Sequence, residues 1–241
     1  MASYFELAPP PHLAEAVECF WTMESDKSFR HRVLPDGCAD IIFTRDSSRA
    51  SLTVVGAMTR FADFHIAPKQ LTVGVRFRPG MWTEHFGVPG PEITDTLVPL
   101  EDLWGPRALA VLTQMADAKS PQQCAALLGR ALRPSEARTP LQRALAWMEA
   151  NPTCVSLDGV AFQTGLSARQ FRRNCLQQTG VSPKLLARVL RFRKALARVQ
   201  SQAGEHAGLA VDCGYFDQSH FIAEFQRFAG QTPAAYLRAA R

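Results

Sequence analysis

Residues 164–183 read TGLSARQFRRNCLQQTGVSP, and the same outline returns fifty residues further on. Ser167, Phe171, Cys175, Gly180 and Pro183 recur as Asp217, Phe221, Phe225, Gly230 and Pro233. Upstream, Ala161 and Gly165 recur 49 residues on as Ala210 and Gly214, so the second copy carries one extra residue in its turn. Each copy spells a short helix with a small residue, a glycine turn, a second helix with an aromatic-led apolar seam, and a Gly-x-x-Pro exit. The alanine lets two helices cross closely, and the glycine takes a turn that a Cβ would strain. Ser167 and Asp217 suit the cap of the following helix. Phe171 and Phe221 would bury against the first helix. This is the pattern of a helix-turn-helix, stated twice.

If Phe171 and Cys175 point inward, Arg169, Arg172 and Arg173 share an outward face at i, i+3 and i+4. The charge of the chain supports a polyanionic partner. Residues 1–138 hold 14 Lys and Arg against 16 Asp and Glu, whereas residues 139–241 hold 13 against 6. The whole-chain excess of +5 therefore lies in the second part. No acidic residue occurs between Asp158 and Glu205, where nine basic ones do. Nucleic acid is the first expectation and a membrane surface the second.

The tandem pattern resembles the AraC/XylS family of bacterial transcription regulators. The resemblance covers residues 139–241, and its most specific stretch is AVDCGYFDQSHFIAEFQRFAGQTPAAYLR, with Gly214, Tyr215, Phe221, Phe225, Gly230, Pro233 and Tyr236 in place. It implies two helix-turn-helix units joined by one linking helix, here SPKLLARVLRFRKALARV, that enter successive major-groove segments of promoter DNA. By position, Arg169, Arg172 and Arg173 form the base-reading face of the first unit, and arginine suits guanine O6 and N7. The second unit offers Gln218, Ser219, His220, Ile222 and Ala223 and no arginine, so the first is expected to supply most of the specificity. Gln218 would read adenine and Ile222 a thymine methyl. Ser167, Lys184, Arg188 and Arg191 are the candidate phosphate contacts. Gly159 and Gly208 depart from the pattern: placed within the first helices of the two units, each would cost roughly 0.5–1 kcal/mol.

The first part of the chain reads as strands. CFWTMES, RHRVL, ADIIFTR, SLTVVGA and LTVGVRFRP are short, β-branched and aromatic, and divided by turns such as Pro35-Asp36-Gly37. Their spacing predicts an antiparallel barrel or sandwich. Two helices follow, one around Leu103–Met115 and one behind Ser120-Pro121. The expected organisation is α+β in two domains: a β-barrel with helices over 1–132, a linker at 133–139, and an all-α DNA-binding domain over 140–241. The resemblance implies a cupin-like barrel that binds a small-molecule effector and supports a homodimer, with RNA polymerase as a partner if the protein activates. Cys38, Arg76, Arg78 and Trp21 are the candidate effector residues. Trp21, Phe43, Phe77 and Trp82 also fit a plain core, and Arg76 and Arg78 alternate on one strand face.

The rival expectation is a metal-dependent cupin enzyme with a basic appendage, using His31, Asp40, His65 and His85. The His-x-His pair that such a site favours is missing, so no enzyme activity, cofactor or metal is expected. The six cysteines form no CxxC pair, and Cys38, after a tight turn, lacks a basic sequence neighbour to activate it. No apolar run approaches the roughly 20 residues that cross a bilayer, and the N-terminal residues carry no export pattern. A cytoplasmic protein without membrane partners is therefore expected.

Overall fold

The computed structural model describes residues 3–134, 138–153, 156–201 and 208–239. Its first half contains β1 (Ser3–Leu7), β2 (Val17–Ser25), β3 (Phe29–Val33), β4 (Ala39–Arg45), β5 (Ala50–Val55), β6 (Ala62–Ile66), β7 (Gln70–Phe77) and β8 (Leu97–Pro99). Between β7 and β8 lie two single turns, α1 (Thr83–Phe86) and α2 (Gly90–Ile93). The helices α3 (Leu100–Trp104), α4 (Pro106–Ala116) and α5 (Pro121–Ala131) follow.

The strands do not close into a barrel. Among the described residues, six of them form an antiparallel sheet in the order β1-β2-β7-β4-β5-β8, and β3 pairs with β6 in a separate ribbon. The expected closed cupin-like barrel gives way to a sheet with two free edges, because β1 and β8 each pair on one side only. Period-two alternation divides the sheet faces. Phe20, Ile41, Phe43, Leu52, Val54, Val73, Val75 and Phe77 join Met115, Cys124 and Leu128 in the main core under α4 and α5. Cys19, Trp21, Met23 and Ile42 point the other way, toward Phe29, Phe64 and Ile66 of the ribbon. All four aromatics expected in the core are buried.

The second half is helical: α6 (Pro140–Ala150), α7 (Leu157–Gln163), α8 (Ala168–Thr179), α9 (Pro183–Ser201), α10 (Leu209–Asp212), α11 (Gln218–Ala229) and α12 (Pro233–Ala239). The expected linker at 133–139 falls partly outside the described residues. Two apolar clusters share α9. Leu186, Ala187 and Leu190 pack with α6, α7 and α8, while Val189, Phe192, Ala195 and Val199 pack with α10, α11 and α12. One 19-residue helix thus serves two small cores, each too small to stand alone.

Gly159 lies inside α7, as expected, at the third helical position. Gly208 does not lie inside a helix. It caps α10 at φ +88°, a left-handed conformation in which glycine has an advantage over every other residue.

Candidate nucleic-acid interface

In the first unit Ser156 caps α7, accepting the Gly159 N–H at 3.3 Å. After the turn, Ser167 accepts the Gln170 N–H at 3.3 Å while Gln170 Oε1 accepts the Ser167 N–H at 3.0 Å, a reciprocal cap that fixes where α8 begins. With that start, Phe171 and Cys175 fall on the buried side beside Val160 and Ala161. Arg169, Arg172 and Arg173 are left exposed. Among the described residues none of the three has an acidic partner within salt-bridge distance, and Arg173 reaches only Asn174 Oδ1 at 3.5 Å. Three uncompensated guanidinium groups on one helical face have their charge available for an outside anion.

The second unit repeats the skeleton. Asp217 accepts the His220 N–H at 2.7 Å, and Phe221, Phe225 and Phe228 converge on Phe192 and Tyr236. Gln218, Ser219, His220 and Ala223 are exposed. Ile222 is half-buried against the second core, so only part of it is available outward. His220 is held on both sides, its Nδ1 accepting the Phe216 N–H at 3.4 Å and its ring lying edge-on to Tyr215. Phe216, at the turn before α11, is 89 % exposed. It is the extra residue of the second turn, because Leu166 and Tyr215 hold equivalent places, donating to Ala161 O and Ala210 O, and the sequence pattern did not single it out.

The four candidate phosphate contacts are not equivalent. Lys184 is exposed. Ser167 is engaged in its cap. Arg188 donates through Nε to the buried Glu224 at 2.5 Å and lies 5.5 Å from the Phe228 ring centre, so its charge is largely consumed within the fold. Arg191 sits 5.6 Å from the ring centre of Tyr215.

A helix-turn-helix domain family matches residues 160–239, and a domain of unknown function, DUF6597, matches residues 5–99. Over 90 residues the chain is 36% identical to the HTH-type transcriptional activator RhaS of Escherichia coli O139:H28 (strain E24377A / ETEC), covering 37% of this chain and 32% of the relative. Over residues 160–239 the chain carries a helix-turn-helix domain similar to that of the AraC/XylS-type regulators. The match spans about a third of the length of the curated relatives. Among solved structures, an AraC-type regulator from Chromobacterium violaceum covers 40% of this chain and 87% of its own at 28% identity and a TM-score of 0.38. ToxT from Vibrio cholerae covers 99% and 97% at 9% identity and a TM-score of 0.47.

In the half that precedes this AraC-type domain, Trp21 and Arg76 meet. Trp21 Nε1 donates to Asp40 Oδ2 at 3.1 Å, and Arg76 Nε lies 3.6 Å from Asp40 and 3.4 Å from Asp36. Burial pushes the Asp40 carboxyl up to about 7, against the pull of Arg76. Arg78 lies just beyond the end of β7 and leaves this group, reaching Glu149 on α6 at 3.4 Å. Cys38 is buried, and burial followed by Asp36 pushes its thiol well above the usual range. The basic neighbour that its sequence surroundings lacked is Arg193 on α9, with Nη1 3.9 Å from Sγ.

Of the residues proposed as metal ligands, His85 packs on Phe77 with its basicity lowered to about 4 by burial, and Asp40 is bound to Trp21. His31 packs on Phe29 in the ribbon, while His65 stands across from Arg30. Among the described residues, no three His, Cys, Asp or Glu side chains gather as a metal site.

Proposed function

We propose that the chain is a sequence-specific transcription regulator of promoter DNA, acting in the cytoplasm under control of a small molecule. The observation that carries this reading is the pair of helices α8 and α11, each capped at its first turn, with the exposed Arg169, Arg172 and Arg173 on the outer face of the first. Two such helices on one chain address successive major-groove segments about one helical turn, roughly 34 Å, apart. The site is therefore asymmetric, with Arg169, Arg172 and Arg173 reading one segment and Gln218, Ser219, His220 and Ile222 the other. Lys184 supplies a phosphate contact, and RNA polymerase is a further partner if binding activates.

The effector site is proposed on the sheet face that turns toward the β3–β6 ribbon, around Trp21, Arg76 and Asp40. Cys38 and Arg78 lie behind it, on the side of α6 and α9. An effector acts there only through different affinities for two arrangements of the halves. α4 and α5 would carry a homodimer contact.

Selection from a random duplex library, followed by footprinting of the enriched sequence, tests the reading. Protection of two adjacent major-groove segments is expected. The absence of any preference over competitor DNA at fixed salt would sink it.

A further inference from the structure

The repeat positions Gly180 and Gly230 end the two recognition helices, at φ +74° and +73°. Both rest on the N-terminal half, through different residues. At the end of α8, the Thr94 hydroxyl lies 3.0 Å from Gly180 O and 2.9 Å from Gly90 O. The backbones of Gly90 and Gly180 approach so closely that a Cβ on Gly90 would stand 2.2 Å from Gly180 N. At the end of α11, Arg32 Nη1 donates to Ala229 O at 3.2 Å, and a Cβ on Gly230 would stand 2.5 Å from the Phe61 ring. Arg32 is itself fixed by both Asp63 oxygens, at 2.7 and 2.8 Å, and by stacking 4.4 Å from the Phe61 ring centre. The carbonyl end of a helix carries partial negative charge, which suits a guanidinium.

Between these two seats the linking helix is also held. Arg193 on α9 pairs with Glu18 and lies 3.5 Å from Glu149, while Gly37 leaves space for Leu186. The two units have separate cores and, among the described residues, meet through α9 and where Thr153, after α6, lies against Gly214. The N-terminal half touches the end of each recognition helix, so it forms a further bridge between them, outside their own domain.

We propose that Thr94 and Arg32 are positioning residues for DNA reading. By seating the C-terminal ends of α8 and α11 on one body, they set the separation of the two readers and hence the base-pair spacing the protein accepts. The proposal rests on the DNA reading above. Neither residue touches the base-reading faces; each acts through a helix end. Inserting one base pair between the two segments shifts the second by about 3.4 Å and rotates it by roughly 35°. Packed interfaces follow such a change poorly, since they have discrete arrangements rather than continuous give.

The test uses the full chain, the duplex it selects, and the same duplex with one base pair inserted or removed between the protected segments. Wild-type protein is expected to bind the altered duplexes at least about tenfold more weakly. In Thr94→Val with Arg32→Met, which keep side-chain bulk, that ratio falls to about threefold or less. Thr94→Ser, which keeps the hydroxyl, retains the wild-type ratio when Arg32 is intact. A merely structural role for Thr94 and Arg32 would lower stability and leave the ratio unchanged. An undiminished ratio in the folded double variant therefore overturns the proposal and leaves the contacts within the units' own domain as sufficient spacer. Failure to enrich any duplex overturns the DNA reading and this inference with it.

Discussion

The two helix-turn-helix units are built on one skeleton and finished differently. Both place a cap, a buried phenylalanine four residues later and a left-handed glycine at the exit. Outside that skeleton they diverge: α8 presents three arginines without acidic partners among the described residues, whereas α11 presents Gln218, Ser219 and a His220 tied to its own turn. The first unit's surface holds its charge in reserve. The second spends its acid, Glu224, inside the fold on Arg188. Packing residues are constrained by helix crossing and so repeat, while outward residues answer to whatever lies outside and are free to differ.

The largest effect should come from the skeleton. Phe171→Ala and Phe221→Ala each empty a buried ring site and should cost about 3–5 kcal/mol in chemical denaturation. Equal cost in stability with unequal cost in DNA binding is the expected outcome. Loss of the first unit removes sequence preference, whereas loss of the second leaves weaker binding with part of the preference intact. If both variants lost preference equally, the asymmetry between the units would be wrong.

Arg188→Ala comes next. It strands Glu224, whose side chain is 7% exposed, but Arg188 itself is 26% exposed, so the cost falls below that of a fully buried pair, at about 2–3 kcal/mol. Because its charge is committed to Glu224, the slope of log affinity against log salt should hardly change. Lys184→Ala should do the opposite, lowering that slope by about 1 with little effect on stability.

The outward faces are compared most directly by Arg172→Ala and Ser219→Ala. The first should cost about 1–3 kcal/mol at a single base pair, read as relaxed preference at that position. The second should stay within about 0.5 kcal/mol. A uniform loss across sequences for Arg172→Ala would make it a phosphate contact and level the two units.

What the sequence disclosed follows the range of the forces involved. Ser167, Asp217, Phe171 and Phe221 were legible because caps and helical faces are set within three or four residues. Most strands were legible for the same reason, by alternation along each. How the strands pair was not, because β7 runs between β2 and β4 and only the assembled order shows that the sheet stays open. Pairs such as Arg193 with Glu18 and Arg78 with Glu149 join residues 175 and 71 apart, beyond any local pattern. Gly208 was misplaced for a smaller reason: its role depends on where α10 starts, and a shift of one residue turns a helix defect into a cap. In the site itself, the exposure of the arginines could be read in advance, but the commitment of Arg188 and the partial burial of Ile222 could not.

The caps give a small expected effect and the finest comparison. Ser167→Ala and Asp217→Ala should each cost about 1 kcal/mol of stability. The Asp217 variant should lose somewhat more, since a carboxylate at a helix N-terminus also meets the positive end of the helix dipole. On DNA their signs should separate. Ser167 is neutral, so its loss weakens α8 without altering charge near the phosphates. Asp217 places a negative charge at the entry of α11, beside the exposed Gln218 and Ser219, where phosphate would repel it. Asp217→Asn keeps an oxygen to accept the His220 N–H and removes the charge, so it should bind DNA more tightly while remaining nearly as stable. Tighter binding should fade as salt rises, because the repulsion it relieves is screened. Weaker binding by Asp217→Asn at every salt concentration would mean that α11 does not approach the backbone through its N-terminal end, and that the second unit meets DNA differently from the first.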